Sequence, residues 1–143
     1  MTTYLTGLAD PAVLPRVDEV NRGHFEAAAE GRLAVRRCTS CGALFHYPRP
    51  YCPHCHSDAL VWENLSGRGT VLVAAPVHRP PWDDLPRSVP YTVVIVRLDE
   101  GPQLLSTVEQ LEPADVVPGL PVQAAFERVG ALGLVRFVPA AAE

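Results

Sequence analysis

Four cysteines in two C-x-x-C pairs constrain this chain more than any other feature. The pairs are Cys38-Thr39-Ser40-Cys41 and Cys52-Pro53-His54-Cys55, and the sequence holds 4 cysteines in all. Two such pairs supply four thiolates, the tetrahedral shell that a zinc ion prefers. Because four thiolates close that shell, no position is left for water or substrate. The sequence therefore predicts a structural metal site with the ligands Cys38, Cys41, Cys52 and Cys55, and places the function elsewhere.

One zinc ion is the expected occupant, and iron in a rubredoxin-like cage is the alternative because the same thiolates bind it. A metal-free redox dithiol needs only one pair and a βαβ pattern that this sequence lacks. The stretch 52–56 also matches the C-x-x-C-H pattern of covalent haem attachment. Haem would leave Cys38 and Cys41 without a role, so we do not expect it.

Charge and composition exclude several classes of function. The net charge is −4, and all 12 basic residues are arginine. A Schiff-base lysine is thereby excluded, and a broad nucleic-acid-binding surface is not expected. No apolar run approaches the roughly 18 residues of a membrane span, and the N-terminus does not resemble a signal peptide. We therefore expect a cytoplasmic protein without a membrane partner, whose cysteines bind metal rather than form disulfides.

The first part of the chain predicts a helix followed by a zinc ribbon. A helical pattern lies between residues 17 and 30, with Asp18 or Asn21 as N-cap and Gly31 as the left-handed residue after its end. Residues 1–16 are predicted to be irregular because prolines interrupt them. Strand-like runs at 33–37 and 60–62 flank the cysteine pairs, which is typical of a zinc ribbon.

The second part predicts a small β-barrel. Glycine- and proline-containing turns separate five short strands, at 70–77, 91–98, 103–108, 122–127 and 134–138. Such a series favours a five-stranded Greek-key OB-fold barrel, with a sandwich as the alternative. The fold class is thus mainly β. The predicted domains are an N-terminal helical segment (1–31), a zinc ribbon (32–66) and an OB-fold (67–143).

The sequence contains no obvious catalytic set. With every cysteine assigned to metal there is no thiol nucleophile, and no serine lies in a G-x-S-x-G elbow. The proline-rich segment 78–90 is long for a connection, and such loops are often functional. It contains His78 and Trp82, which we predict to contact a partner protein because a rigid aromatic side chain is a favoured interface anchor.

The stretch Gly67-Arg68-Gly69 has two interpretations. It resembles a phosphate-binding loop only weakly, because it lacks the P-loop lysine and does not open a helix. We favour a tight entry into the first barrel strand. Arg68 is still a candidate for contact with an anion, since guanidinium binds phosphate in a bidentate manner.

Read in order, a succession of motifs resembles the zinc-ribbon/OB-fold acyl-CoA-associated proteins, a family long catalogued as a domain of unknown function. The similarity covers roughly residues 20–139 and is carried by residues 31–33, 37–42, 47–55, 66–71, 90–94, 98–101, 119–122 and 136–139. One departure is in the helix, where Phe25 is followed by Glu26 rather than by a second aromatic residue.

This resemblance implies that the protein is a non-catalytic subunit. Members associate with thiolases, thiolase-like aldolases, acyltransferases or hydroxymethylglutaryl-CoA synthases, and some are fused to enoyl-CoA hydratases. The implied zinc ligands are the four cysteines, and the implied motif positions include Arg68 and Tyr91, which we predict to contact CoA.

The sequence thus predicts an accessory subunit that completes the acyl-CoA site of a thiolase-like or hydratase partner, in lipid, steroid side-chain or polyketide-type metabolism. Two alternatives are an OB-fold protein that binds single-stranded nucleic acid and a rubredoxin-like electron carrier.

Overall fold

The computed structural model describes residues 2–83, 87 and 89–140. These residues form one helix, a 3-10 turn and nine strands. The elements are β1 (Thr3–Leu5), α1 (Arg22–Ala29), β2 (Leu33–Cys38), β3 (Leu44–Phe45), β4 (Leu60–Leu65), β5 (Arg68–Val77), β6 (Tyr91–Leu98), β7 (Gln103–Val108), the 3-10 turn (Pro113–Asp115), β8 (Pro121–Val129) and β9 (Leu132–Pro139). The predicted mainly-β class is confirmed, and each predicted strand lies within or overlaps an observed one.

Five strands close into a barrel. Around it the order is β5-β6-β7-β9-β8, and β8 pairs back with β5 through residues 121–123. All neighbouring pairs are antiparallel except β7 with β9, which are parallel at Val108 and Phe137. This is the strand order of an OB-fold, so the predicted barrel is confirmed and the sandwich alternative is wrong.

The barrel interior is filled by alternate side chains of its strands. In β6 the inward positions are Thr92, Val94, Val96 and Leu98, all buried, whereas their neighbours along the strand are more exposed. This period of two is what the apolar alternation of the sequence predicts for a strand with one buried face. The fully buried Phe137 of β9 belongs to the same core.

Helix α1 packs on the barrel rather than standing apart from it. It begins after Asn21, but the Asn21 side chain does not cap it. Asp18 instead organises the preceding turn, because its carboxylate accepts the backbone N–H groups of Val20 and Asn21. The helix ends at Ala29 and is closed by a Schellman motif with Gly31 (φ +78°) as its left-handed residue, in which Arg32 N–H donates to the Ala27 carbonyl and Gly31 N–H to the Ala28 carbonyl.

The contact between α1 and β9 is a direct backbone approach. A Cβ atom on Gly133 of β9 would lie 2.0 Å from the Ala29 nitrogen and 2.3 Å from the Ala28 carbonyl carbon. Only glycine therefore permits this approach, and Ala28 becomes part of the barrel core.

The N-terminal residues are more ordered than predicted. Strand β1 pairs in parallel with β8, in the register Thr3 to Ala125, so the prediction of an irregular segment is wrong there. Beyond it, the buried carboxylate of Glu127 accepts the N–H groups of Leu8 and Ala9, each at 2.8 Å. A three-residue strand carries no periodic signal of its own, so only the neighbouring strand reveals it.

The division into three domains stays a prediction.

Within the described residues, α1 is the longest helix, and no helix has the length and apolar character to cross a bilayer.

Candidate functional site

The four cysteines converge at one end of the three-stranded sheet β3-β2-β4. Their Sγ atoms all lie within 4.8 Å of one another, with Cys38–Cys55 at 3.5 Å and Cys41–Cys52 at 3.7 Å. A tetrahedral shell with zinc–sulfur bonds of about 2.3 Å places sulfurs about 3.8 Å apart. The cluster thus fits one tetrahedral ion of this size, and the predicted ligand set is positioned to bind it.

Both cysteine pairs lie on equivalent turns. Gly42 donates its N–H to the Cys38 carbonyl, and His56 donates its N–H to the Cys52 carbonyl. Both turns need a left-handed residue directly after the second cysteine, namely Gly42 (φ +79°) and His56 (φ +63°). Because Cys52 and Cys55 face the other pair, the haem-attachment interpretation fails, and His56 is an exposed turn residue.

The surrounding protein lowers the pKa of Cys38 and of Cys52 and raises the pKa of Cys41 and of Cys55. The backbone N–H of Cys41 lowers the pKa of Cys38 to about 6. At Cys55 the N–H of Ser57 also favours thiolate, but the neighbouring Cys38 sulfur and burial outweigh it and raise the pKa to about 12. Four thiolates this close repel one another, and a divalent cation among them removes that repulsion. The four thiolates are therefore suited to hold a structural metal ion in a closed ligand shell, and none of them is suited to act as a free nucleophile.

The stretch Gly67-Arg68-Gly69 forms the entry to β5. Gly67 has a φ of +80°, and a Cβ on Gly69 would lie 2.6 Å from a Val96 methyl carbon. Gly67 is thus required by its left-handed backbone conformation and Gly69 by the close approach of β6. Both support the tight-entry interpretation. Arg68 itself is exposed at the first position of β5.

The two residues predicted to contact CoA lie far apart. Tyr91 begins β6 opposite Val77, whereas Arg68 lies at the other end of β5, nine residues from Val77. At roughly 3.3 Å per residue, these ends are about 30 Å apart along the strand. A single phosphate group therefore cannot contact both, although the two roles individually stay predictions.

Trp82 is held by the N-terminal segment. Its indole N–H donates to the Asp10 carboxylate at 2.8 Å, and 38% of the residue is exposed. His78 follows β5 directly and is exposed. Part of the predicted interface loop, residues 84–86 and 88, lies outside the described residues.

Trp82 and Tyr91 both line a cleft of about 670 Å³. We call this space the central cleft. Its walls come from the N-terminal segment, α1, the β3–β4 connection, the loop after β5 and strands β6, β7 and β9; they include Leu8, Phe25, His46, Tyr47, Leu105 and Arg136. Arg68 and His78 do not line it. The sequence did not predict this cleft, because its walls are distant along the chain.

Two histidines form part of the cleft wall. The rings of His24 and His46 are 4.6 Å apart, and His24 Nδ1 contacts the Ala34 carbonyl at 2.9 Å. Burial lowers the pKa of His24, and burial together with the neighbouring His24 lowers the pKa of His46 to about 3. Both rings are therefore uncharged near neutral pH. Their spacing in sequence gave no signal for this pairing.

These histidines predict a loss of stability in mild acid. The unfolded chain binds a proton at His46 near pH 6.5, whereas the folded chain does so only near pH 3, so stability falls as the pH drops below 6.5. Between pH 7.5 and 5.5 we expect the protonation of His46 in the unfolded chain to lower the free energy of unfolding by about 1.4 kcal/mol. Denaturant unfolding of wild type and His46→Gln at both pH values measures it. An acid-induced loss that is equal in the two proteins contradicts the prediction.

Two largely buried ion pairs lie at the cleft wall, which their arginines line. Arg87 donates to both carboxylate oxygens of Glu109, at 2.7 and 2.9 Å, and Arg136 donates to Glu127 at 3.1 Å. The Arg87 guanidinium also lies 4.1 Å above the Tyr91 ring. Sequence reasoning missed both pairs because partners 22 and 9 residues apart meet only across strands.

Comparison with known proteins is consistent with this architecture. The family model described as ChsH2, rubredoxin-like zinc ribbon domain, matches residues 25–61, and the one described as ChsH2, C-terminal OB-fold domain, matches residues 62–127. A solved structure described as Ltp2-ChsH2(DUF35) aldolase superposes with a TM-score of 0.81 at 33% identity, covering 90% of this chain and 100% of that one.

Two curated relatives differ greatly in length. A probable enoyl-CoA hydratase alpha subunit from Thermomonospora curvata is 36% identical over 110 residues, which are 76% of this chain but 33% of that protein. A DUF35 domain-containing scaffold protein from Methanocaldococcus jannaschii is 34% identical over 94 residues, 65% of this chain and 66% of that protein. This chain thus spans about a third of the hydratase subunit.

Proposed function

Because this chain belongs to the ChsH2 family of zinc-ribbon and OB-fold (DUF35) proteins, we propose that it is a non-catalytic accessory subunit of an acyl-CoA-processing complex. Its partner is a thiolase-like enzyme or a hydratase, and it helps to form that partner's acyl-CoA site. The pathway is one of lipid, steroid side-chain or polyketide-type metabolism, and the location is cytoplasmic.

The observation that carries this proposal is the pairing of family membership with a closed metal site. All four cysteines face one another, so they leave no thiol for chemistry. The relatives named above are described as a probable enoyl-CoA hydratase alpha subunit, a DUF35 domain-containing scaffold protein and an Ltp2-ChsH2(DUF35) aldolase, which supports an accessory role within a larger enzyme.

The proposed interface includes His78 and Trp82. Trp82 is partly exposed, yet its indole is fixed by Asp10, so little conformational freedom is lost when a partner covers it. Such restrained aromatic side chains are frequent hot spots, which cost 2 kcal/mol or more on truncation. The proposed CoA contacts are Arg68 and Tyr91, as separate subsites because of their distance along β5.

Co-expression and co-purification with a thiolase-like protein, chosen from the genes next to the gene for this chain, tests the proposal. We expect a stable complex with the wild type and a complex at least about 30-fold weaker with Trp82→Ala, from a loss of about 2 kcal/mol. Val61→Ala on β4 is the matched control, since Val61 is 39% exposed and lies outside the central cleft. If no complex forms with the wild type, the accessory role is wrong; if Trp82→Ala binds equally, only the interface assignment is wrong.

The two alternative functions have direct tests. A nucleic-acid-binding barrel requires strongly salt-dependent affinity for single-stranded oligonucleotides, and an electron carrier requires iron, whose oxidised tetrathiolate is red. We expect no such affinity and a colourless protein with one zinc ion.

A further inference from the structure

We propose that the central cleft binds one uncharged, largely apolar small molecule of lipid-like character, whose oxygen atom accepts a hydrogen bond from the Tyr47 hydroxyl. This goes beyond the accessory role, because it assigns a ligand site to this chain alone. The proposal therefore does not depend on the identity of a partner.

The size and lining of the cleft suit a small molecule. Ligand sites occupy about 300–1,000 Å³ and are mostly apolar with a few placed polar groups, and the central cleft measures about 670 Å³. Its apolar wall residues include Leu8, Val13, Phe25, Val93, Leu104 and Leu134. Val13 and Leu105 are exposed in the structure, so a ligand that covers them gains hydrophobic free energy.

The charges around the cleft favour an uncharged ligand. Each wall arginine is already compensated, Arg87 by Glu109 and Arg136 by Glu127. The two histidines are uncharged near neutral pH. Asp10, which holds Trp82, leaves one carboxylate at the wall. An anionic group placed here meets no unpaired cation among the described wall residues and is repelled by Asp10.

Tyr47 supplies one placed polar group. Its hydroxyl oxygen accepts the Leu105 N–H at 2.8 Å, which leaves the hydroxyl proton to donate. Among the described residues no acceptor takes that proton. A carbonyl or hydroxyl oxygen of a ligand satisfies it, and this single directional contact would orient an otherwise apolar molecule.

The same hydrogen bond argues against an extended peptide as the occupant. A peptide that adds to a sheet needs an open strand edge with free backbone groups. Strand β6 is paired on both sides, by β5 and β7, and the Leu105 N–H of β7 is already taken by Tyr47. The cleft therefore offers surface to a small molecule but no open ladder at this position.

Two matched variants test the site. Leu105 and Val73 lie on the same outer row of the sheet, because each is in register with Ile95, and they are 58% and 52% exposed. Only Leu105 lines the cleft. Leu105→Asp should therefore place a carboxylate in the cleft, whereas Val73→Asp places the same group on the sheet outside it. The Tyr47 contact uses the backbone of residue 105 and is retained.

The probe is Nile red, which is uncharged and fluoresces in apolar surroundings, titrated into the full-length metal-loaded chain. We expect saturable binding of one probe per chain, at least about tenfold weaker binding to Leu105→Asp, and a change of less than twofold for Val73→Asp. Backbone amide NMR shifts should concentrate at residues 104–107 and 134–136. The anionic probe 8-anilinonaphthalene-1-sulfonate should bind more weakly than Nile red.

Several results overturn the proposal. They are equal Nile red affinity in the two variants, non-saturable binding, amide shifts outside the cleft, or tighter binding of the anionic probe. Loss of Nile red binding when the co-purified partner subunit is added reassigns the cleft to protein docking. Each of these outcomes leaves the accessory role itself untouched.

Discussion

Cys52→Ser is expected to abolish metal binding and to unfold the zinc ribbon. The ribbon's own core consists of Cys38, Phe45 and Cys52 with Ala43 and Leu60 packed against them, too few apolar side chains to hold three short strands. Zinc supplies about 10–16 kcal/mol in comparable small modules. We therefore expect zinc content to fall below about a tenth of an ion per chain and Tm to fall by more than about 10 °C.

Metal analysis by mass spectrometry and thermal unfolding by circular dichroism measure these effects. His54→Ala is the control, because His54 lies between Cys52 and Cys55 and is exposed. It should keep one ion and an unchanged Tm. Full zinc content in Cys52→Ser would show that the four-thiolate site does not hold the ion.

Gly133→Ala is expected to destabilise the barrel by about 3 kcal/mol or more. The added Cβ would lie 2.0 Å from the Ala29 nitrogen, and a helix backbone cannot move aside as a flexible side chain does. Helix α1 would have to leave β9, which would expose Ala28 and open a void beside the barrel core. The measurement is urea unfolding followed by circular dichroism.

Gly130→Ala separates crowding from backbone strain. Gly130 lies in the turn just before β9 with a φ of +64°, and a Cβ there meets nothing within 4 Å. Its substitution should therefore cost only about 1–2 kcal/mol, the usual penalty for the left-handed conformation. Similar losses in both variants would mean that α1 does not rest directly on β9.

Local patterns predicted the fold well because each signal lies within a few residues. The C-x-x-C spacing fixes two turns, and the alternation in β6 assigns its inward side chains. Gly31 at the end of α1 is another local signal, since only a left-handed residue completes that motif.

Local patterns failed where the physical cause lies across the chain. Strand β1 exists because β8 offers a free edge, and Glu127 is buried because Arg136 and two N-terminal N–H groups satisfy it. Asp18 and Asn21 show the same limit on a smaller scale: both were candidate N-caps, and the actual hydrogen bonds decided that Asp18 forms the turn before the helix.

The residues alone predict that four cysteines make one closed metal site and that a ribbon precedes a small barrel. Thiolate chemistry and strand periodicity act over short stretches, so they can be read from the residues alone. The folded chain is needed to locate a candidate site for function. The sequence offered Arg68, Tyr91, His78 and Trp82 as separate candidates, and folding brought Tyr91 and Trp82 to one cleft but left the other two outside it. Burial, ion pairing and shape depend on residues far apart in the chain, so no short stretch of sequence reveals them, whereas the closed site of Cys38, Cys41, Cys52 and Cys55 is visible in the sequence and does not line that cleft.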